Sequence, residues 1–289
     1  DTDAPPPSGC HQPPGMSESA LEAHGVASAP ETTEQVVREA TAEDKQEPES
    51  SAVTPAPQEN AERRQNTAPR TEVGLLLNLL VATRPAPENQ FRNVPLPSFL
   101  KAAEQFRNCI AKMGPGFAMG VADMDKNISG MKRACEAEPT SRATLGGFLE
   151  SEVASGKHKC GDPSKVKLHG TSAAVNFVWL MRGMEFTGTL LQLLLDGDTQ
   201  APQTAYPATL GQYHGTFTSM AFRALFFTMP SKETLCQSAA LCLDTDGSIS
   251  ERSALVAEDG LRAMNELVPL VQGMIGVCKE FQLWDNRKV

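Results

Sequence analysis

Residues 123–130 read Asp-Met-Asp-Lys-Asn-Ile-Ser-Gly, and this stretch is the best guide to the fold. Asp123 and Asn127 are four residues apart, so in a helix their side chains lie one above the other on the same face. Apolar residues such as Val121 and Met131 flank the stretch, which predicts a long helix that is buried on more than one side. A carboxylate and an amide on such a helix need polar partners, and these residues alone favour hydrogen bonds to a neighbouring helix.

The first 70 residues differ in composition from the rest of the chain. They contain no Phe, Trp, Tyr or Ile, one Leu and 10 of the 21 prolines, and they carry 13 of the 35 acidic residues but only 5 of the 26 basic ones. A segment with so few apolar groups cannot offset the entropy that it would lose on ordering. We therefore expect a disordered acidic tail over residues 1–70 and one helical domain over residues 71–289, which is long enough to bury a core.

Cysteine usage and hydropathy favour a protein of the cytoplasm. The seven cysteines are odd in number, and several lie in apolar helical patterns, as in Asn108-Cys109-Ile110 and Val277-Cys278. Such cysteines are typical of reduced, buried thiols in cytosolic proteins. No apolar run approaches the roughly 18 residues of a membrane span, and the acidic first segment lacks the apolar core of a signal peptide.

Helical periodicity continues on both sides of the opening stretch. Apolar residues recur at intervals of three and four, and no alternation of period two is long enough to indicate a strand. The predicted helices cover residues 72–84, 97–112, the opening stretch as far as 138, 141–154, 166–196 (the longest), 206–229 (kinked near Gly215), 231–240 and 252–283. The predicted fold class is therefore all-α, with helices too apolar all round for a simple four-helix bundle.

Three patterns along this helical part share one resemblance. The first lies between Phe117 and Leu149 and includes the Asp123-x-x-x-Asn127 pair. The second is Trp179-Leu180-x-Arg182-Gly183-x-x-Phe186, followed by a leucine-rich run, and the third is Tyr213-His214-Gly215, with Phe222 eight residues after the histidine. In this order and at these spacings, residues 72–289 resemble the glycolipid transfer protein family.

The resemblance implies a two-layered, all-helical sandwich of about eight helices that opens to take in the hydrocarbon chains of a lipid. It also implies a head-group site at the surface, made of Asp123, Asn127, Trp179, Arg182 and His214. Arg182 has two alternatives here: it forms an ion pair with Asp123 and orients it, or it is a solvated base. A hydrophobic tunnel should be lined by part of the apolar set, for which we name Phe106, Phe148, Val175, Phe186, Phe222 and Phe226.

The chemistry of a sphingolipid suits these residue types. Its amide N–H and a sugar hydroxyl can both donate to the two oxygens of the Asp123 carboxylate, and an Asn127 amide can donate to and accept from sugar hydroxyls. A His214 N–H can donate to the lipid amide carbonyl. The indole face of Trp179 offers a flat apolar platform for the C–H face of a sugar ring. Taken singly, Asp123 would more often be an ion-pair member, and Trp179 and His214 would more often be core residues.

Two positions depart from the family's pattern. The family's glycolipid binders usually carry a lysine three residues after the asparagine, where this chain has Gly130. A tryptophan that docks on membranes often follows the histidine by two residues, where this chain has Thr216. The two departures concern head-group selectivity and the mode of membrane contact.

Metal and catalytic patterns are incomplete. A calcium loop around Gly247 would need carboxylate ligands at its first and twelfth positions, but Cys242 and Ser253 occupy them. The spacing of His158, Cys160 and His169 matches no zinc site. The sequence shows no nucleophile with a base and no phosphate-binding glycine loop, so we predict neither enzyme activity nor a cofactor.

The predicted function is intermembrane transfer of a sphingolipid, most consistent with a glycosphingolipid. Within the same fold, the alternative is transfer of ceramide-1-phosphate, which would be expected to need paired cations. From another class, the alternative is a sphingolipid sensor or adaptor that does not transfer its ligand. The resemblance further implies a monomer that makes transient peripheral contact with membranes in the cytoplasm and has no nucleic-acid partner.

Overall fold

The computed structural model describes residues 69–288, except for residues 86, 88, 89, 160, 163, 164, 242, 244 and 245. Within these residues the regular structure consists of nine α-helices and three short 3-10 turns, together with two isolated β-bridges. The predicted all-α class is therefore confirmed. The acidic tail lies outside the described residues, so its disorder and the predicted boundary near residue 70 stay predictions.

The helices follow one another with short connections. In chain order they are α1 (Glu72–Thr83), α2 (Leu96–Ala111), α3 (Ala118–Ala137), α4 (Leu145–Ala154), α5 (Ala173–Asp196), α6 (Ala201–Ala208), α7 (Thr216–Phe226), α8 (Lys232–Leu241) and α9 (Ile249–Glu280). The 3-10 turns are Phe91–Asn93, Pro115–Phe117 and Leu210–Tyr213.

Five of the helices pack in a closed ring. Each of α1, α2, α3, α5 and α9 packs against the next in that order, and α9 packs back on α1. The core lies between them and includes the fully buried rings of Phe99, Phe106, Phe148 and Phe177. α6 packs on α5, and α8 packs on α9. None of the described helices combines the length and the apolarity that a membrane span requires.

Local signals explain where several helices begin. Thr71 and Thr144 each accept a backbone N–H of the first turn that follows, before α1 and α4, so each removes one unsatisfied donor. Before α9, Ser248 and Glu251 form a reciprocal capping box. That pair starts α9 at Ile249, three residues before the predicted position.

The longest helix is α9 and not the one predicted over residues 166–196. α9 has 32 residues and α5 has 24, because α5 begins only at Ala173. The apolar residues Val166 and Leu168 are buried, but in an extended segment. Lys159 and Lys167 exchange two backbone hydrogen bonds, and the Leu168 N–H donates to Asp285 Oδ2 over 3.2 Å. Tertiary contacts thus replace the first predicted turns.

The single helix predicted over residues 206–229 was also wrong. α6 ends at Ala208, and α7 begins at Thr216. The turn between them packs tightly, since a Cβ on Gly211 would lie 2.9 Å from the carbonyl oxygen of Tyr206. His214 follows in an extended conformation, with φ −94° and ψ 139°. The break therefore presents His214 from a bend between helices.

The opening stretch is helical, and α3 packs against both α2 and α5 as predicted, but its first half is not buried. Its buried residues are Met124, Asn127, Ile128, Gly130 and Met131. Its first half is open, with Met119 53% exposed, because this part borders a cavity. Of the flanking apolar residues, Phe117 and Met119 line the cavity, whereas Met131 is buried.

Candidate head-group site

Asp123 and Asn127 come together on α3 as their spacing predicts. Asn127 is buried and donates its Nδ2 to Asp123 Oδ2 over 3.0 Å. Asp123 is exposed at the opening of the cavity, yet the surrounding protein displaces enough water to raise the pKa of its carboxyl, against the Lys126 charge and the Asn127 hydrogen bond. The hydrogen bond engages one carboxylate oxygen, so the other can accept from a ligand.

Trp179 and His214 face each other across the site. Trp179 lies on α5, and its ring stacks on that of His214 with centroids 6.4 Å apart and an interplanar angle of 18°. Trp179 is half-buried, so part of its ring remains available to a ligand. His214 is 6% exposed and lies 4.8 Å from the Phe222 centroid. A flat aromatic surface and a polar imidazole edge are thus adjacent.

Tyr206 holds the imidazole of His214. The Tyr206 hydroxyl lies 2.9 Å from His214 Nδ1 and 3.2 Å from Ser219 Oγ. Burial lowers the pKa of His214, and the nearby charge of Arg182 adds to the effect, so the imidazole is neutral at neutral pH. When Tyr206 donates to Nδ1, the proton of the neutral ring lies on Nε2, where it can be donated to a ligand carbonyl.

Replacing Tyr206 with Phe should weaken lipid binding because the imidazole loses its hydrogen-bond partner at Nδ1. We expect transfer to fall about three- to tenfold, the value of one hydrogen bond of about 1 kcal/mol. Ser219→Ala is the control: it removes the competing acceptor and should leave transfer within about twofold of the unmodified protein. If the Tyr206→Phe variant transferred lipid as fast as the unmodified protein, the tautomer of His214 would not be set by Tyr206.

These residues open onto one apolar cavity, which we call the proximal cavity. It has a volume of about 1060 Å³ including its opening, and Asp123, Trp179 and His214 line it. Three residues predicted for the tunnel, Phe186, Phe222 and Phe226, also line it. Asn127 and Arg182 lie outside this lining. The remaining wall consists of Ile110, Gly116, Phe117, Met119, Gly120, Met124, Gly183, Thr187, Leu190, Leu210, Leu225 and Met229.

The other three tunnel residues lie elsewhere. Phe106 lines a second apolar cavity, the distal cavity, with a volume of about 790 Å³ including its opening. It shares Ile110 with the proximal cavity. Phe148 packs against Phe177 with centroids 5.7 Å apart, and Val175 packs against the core from the side. Neither Phe148 nor Val175 lines the two cavities.

Arg182 fits neither alternative stated for it. It is 2% exposed, so it is not a solvated base, and its Nη2 donates to the backbone carbonyl of Asp285 and not to Asp123. Its guanidinium carbon lies 4.7 Å from the Trp179 ring centroid and 3.6 Å from that of Tyr213. Burial lowers the pKa of Arg182. The guanidinium therefore packs against the rings of Trp179 and Tyr213 in the protein interior.

Two aromatic residues of this region escaped sequence reasoning. Trp284 is 3% exposed, and its indole N–H donates to the Tyr213 hydroxyl over 3.0 Å. Its ring also lies 5.3 Å from the Arg182 guanidinium carbon. Tyr206 was taken only as the start of a helix. The signal available in the sequence was Trp284 itself, because tryptophan side chains are highly buried on average.

The described cysteines and histidines form no metal site. Cys109, Cys236 and Cys278 are buried free thiols, and burial raises the pKa of Cys109 to about 12. In the part of the chain that the structure describes, no three His, Cys, Asp or Glu side chains come together as ligands. Cys160 and Cys242, which belong to the zinc and calcium patterns considered above, lie outside the described residues.

Comparison of the sequence with known families identifies one match. The model of the glycolipid transfer protein (GLTP) family matches residues 94–240, a little over half of the chain. Glycolipid transfer protein 2 of Arabidopsis thaliana is 24% identical over 211 residues, which cover 72% of this chain and 87% of that protein. Glycolipid transfer protein of Danio rerio is 28% identical over 166 residues, which cover 50% of this chain and 72% of that protein.

Solved structures share the fold at low sequence identity. Mouse ceramide-1-phosphate transfer protein in its apo form superposes with a TM-score of 0.58 at 16% identity, covering 74% of this chain and 98% of that one. FAPP2, which selects simple glycosphingolipids using the GLTP fold, superposes with a TM-score of 0.55 at 21% identity. The superposition covers 68% of this chain and 90% of that one. The two-layered helical sandwich implied by the resemblance is confirmed, and with the family match it establishes that this chain belongs to the glycolipid transfer protein family.

Proposed function

We propose that this protein extracts one sphingolipid from a membrane and carries it to another without making or breaking a bond. One observation carries the proposal: Asp123, Trp179 and His214 line the same cavity as Phe186 and Phe226. Polar groups at the opening of an apolar cavity match a molecule with a polar head and hydrocarbon chains. The relatives named above are glycolipid and ceramide-1-phosphate transfer proteins, which supports the same class of ligand.

The proposed contacts follow the geometry of the site. The Asp123 carboxylate accepts the lipid amide N–H and a head-group hydroxyl. Asn127 holds that carboxylate through its own amide. A neutral His214, with its proton on Nε2, donates to the lipid amide carbonyl. Trp179 stacks beneath a sugar ring, and Arg182 supports the indole from below at 4.7 Å. In this proposal Arg182 positions Trp179.

The finer proposal is that the head group is a sugar. Among the described residues that line the proximal cavity, none is Lys or Arg. A phosphate monoester carries about −1.5 to −2 charges at pH 7. Beside the Asp123 carboxylate it would share the charge of Lys126 with that carboxylate, which leaves most of its own charge uncompensated. Arg182 is already engaged by the Asp285 carbonyl and two rings. A neutral sugar meets no such repulsion and gains the indole contact.

The test is transfer between vesicles with catalytic amounts of the protein and labelled lipids. Glucosyl- or galactosylceramide should move faster than ceramide-1-phosphate, and Trp179→Ala should narrow the difference. Faster movement of ceramide-1-phosphate would contradict the sugar proposal while keeping sphingolipid transfer. Tight binding of a sphingolipid without movement of any lipid would contradict transfer and support a sensor or adaptor.

An exposed apolar surface beside the cavity suits the proposed membrane contact. Phe217, Met220 and Phe227, on or just after α7, are 90%, 63% and 89% exposed, and Met119 at the cavity wall is 53% exposed. Large apolar groups exposed together mark an interaction site. Leu225 and Phe226 of the same helix line the cavity, so a bilayer on this surface would lie against its opening. Phe217 thus offers the aromatic group that Thr216 lacks. We propose this contact as transient and peripheral, made by a monomer in the cytoplasm.

Removing this surface should weaken membrane binding without unfolding the protein. The double variant Phe217→Ser/Phe227→Ser is expected to lower partitioning to phosphatidylcholine vesicles by about tenfold or more, since burying one such ring contributes about 1.5–3 kcal/mol. The measurement is co-sedimentation with vesicles, with the melting temperature alongside. Val81→Ser, an exposed apolar residue on α1, is the matched control and should not change partitioning. If the double variant partitioned to vesicles as the unmodified protein does, the membrane contact would lie on another surface.

A further inference from the structure

Gly130 has no side chain because another residue fills its place. Gly130 is buried in the interior of α3, where glycine lowers helix stability relative to alanine. A Cβ built on it would lie 2.4 Å from Cγ and from Nδ2 of Asn176, and 2.7 Å from its Oδ1. Real atoms do not approach so closely, so any side chain at position 130 would displace the Asn176 amide.

Asn176 lies beside the head-group residues. On α5 it precedes Trp179 by three residues, and on α3 Gly130 follows Asn127 by three, so each pair shares a helix face. Met124, six residues before Gly130 on α3, meets Gly183, seven residues after Asn176 on α5. The two helices are therefore antiparallel. The site thus continues from Asp123 past Asn127 to Asn176. Like Asn127, Asn176 is not among the residues that line the proximal cavity.

The Asn176 amide is available for a ligand. The residue is partly exposed. Its side chain contacts Gly130 but forms no hydrogen bond with any other residue that the structure describes. A carboxamide offers two donor hydrogens and one acceptor oxygen. Sugar hydroxyls can both donate and accept, so they match it in either orientation. A phosphate offers acceptors only, and it is better bound by charged donors.

We propose that Asn176 is a specificity-determining residue that contacts the sugar hydroxyls of the head group, and that Gly130 is present to admit it. This inference rests on the proposed transfer of sphingolipids. It adds a residue of α5 that recognises the sugar of the head group. The rival explanation is that Asn176 merely packs α5 against α3. The two explanations differ in one respect: a packing role would alter binding of every lipid alike, whereas a sugar contact would alter only lipids that carry a sugar.

The experiment measures dissociation constants for glucosylceramide and for ceramide, which differ only in the sugar, by titration of tryptophan fluorescence in the full chain. Asn176→Ala should weaken glucosylceramide binding about three- to tenfold, the value of one or two hydrogen bonds, and leave ceramide binding within about twofold. Gly130→Ala should act in the same direction because it displaces the amide. The double variant should match the single ones and not multiply them, since both changes remove one contact.

The control for a helix glycine is Gly276→Ala on α9, where a Cβ would meet nothing within 4 Å. It should leave both dissociation constants unchanged and raise the melting temperature by about 2–4 °C. An equal loss for both lipids in Asn176→Ala, or no loss for either, would overturn the inference while the proposed function stands. Failure of the unmodified protein to bind either lipid would instead overturn the proposed function.

Discussion

Transfer of glucosylceramide by an Asp123→Val variant should fall at least tenfold while its helical circular dichroism spectrum is kept. The substitution removes the acceptor that we propose for the lipid amide N–H and a sugar hydroxyl. Hydrogen bonds to a charged group contribute about 1.5–3 kcal/mol, which corresponds to at least a tenfold loss. Asp123 lies at the cavity opening and is exposed, so valine there should not disturb the core.

Asp125 provides the matched control for this variant. It lies two residues away on α3 and forms an ion pair with Arg107 at the surface. Such pairs contribute about 0–1 kcal/mol, so Asp125→Val should transfer lipid within about twofold of the unmodified protein. If Asp123→Val transferred glucosylceramide normally, the head group would not be read at this position.

Acidification offers a second test of the same carboxyl. Its pKa is raised above the ordinary value of about 4 because the surrounding protein displaces water, so it takes up its proton at a higher pH than an ordinary aspartate. Transfer should decline as the pH falls through this raised pKa, since the protonated group has lost an acceptor. The sign for folding is opposite: a raised native pKa means that this group stabilises the native state as the pH falls. Glu72, Glu138 and Asp285 have lowered pKa values and lose their stabilising contribution only at more acidic pH. We therefore expect transfer to decline at a higher pH than the melting temperature does.

The two tryptophans of the chain should separate stability from function. Trp284→Ala should lower the free energy of unfolding by about 3–5 kcal/mol, the usual cost of truncating a buried aromatic side chain. The variant loses the indole hydrogen bond to Tyr213 and the ring beside Arg182. For a domain of this size we expect a fall in melting temperature of about 6–20 °C.

Trp179→Ala should show the reverse pattern. Trp179 is half-buried and faces the cavity, so its loss should cost less stability than the loss of Trp284 and more transfer of glycosylated lipid. Thermal unfolding and vesicle transfer, both measured on both variants, check the pattern. A larger fall in melting temperature for Trp179→Ala than for Trp284→Ala would show that Trp179 is a core residue and not a platform.

The sequence was a good guide where structure depends on neighbours in the chain. Helical periodicity located α1, α2 and α8 closely, because their apolar faces and breaks are local. It extended a helix across Val166 and Leu168, which are apolar and buried but extended. The reason lies 117 residues away, where the Asp285 side chain accepts the Leu168 N–H. Periodicity reports which residues are buried, and here it could not report which backbone conformation buries them.

The same limit applies to the site. Asp123 and Asn127 could be paired from their spacing alone, because one helix carries both. Trp179 and His214 could be connected only through the family resemblance. The place of Arg182 could not be inferred, since its contacts come from Tyr213 and from residues 284 and 285. The pairing of Gly130 with Asn176 likewise exists only across two packed helices.

The bond from Arg182 to the Asp285 carbonyl spans 103 residues of chain, and this separation constrains the order of folding. Contacts so distant in sequence require a large loop to close and form late. At about 5–20 residues per second, the ribosome needs about 5–20 s after making Arg182 to reach Asp285. During that time the support beneath Trp179 is incomplete. We therefore expect that a nascent chain which has formed α5 but has not reached residue 285 does not yet bind the proposed ligand.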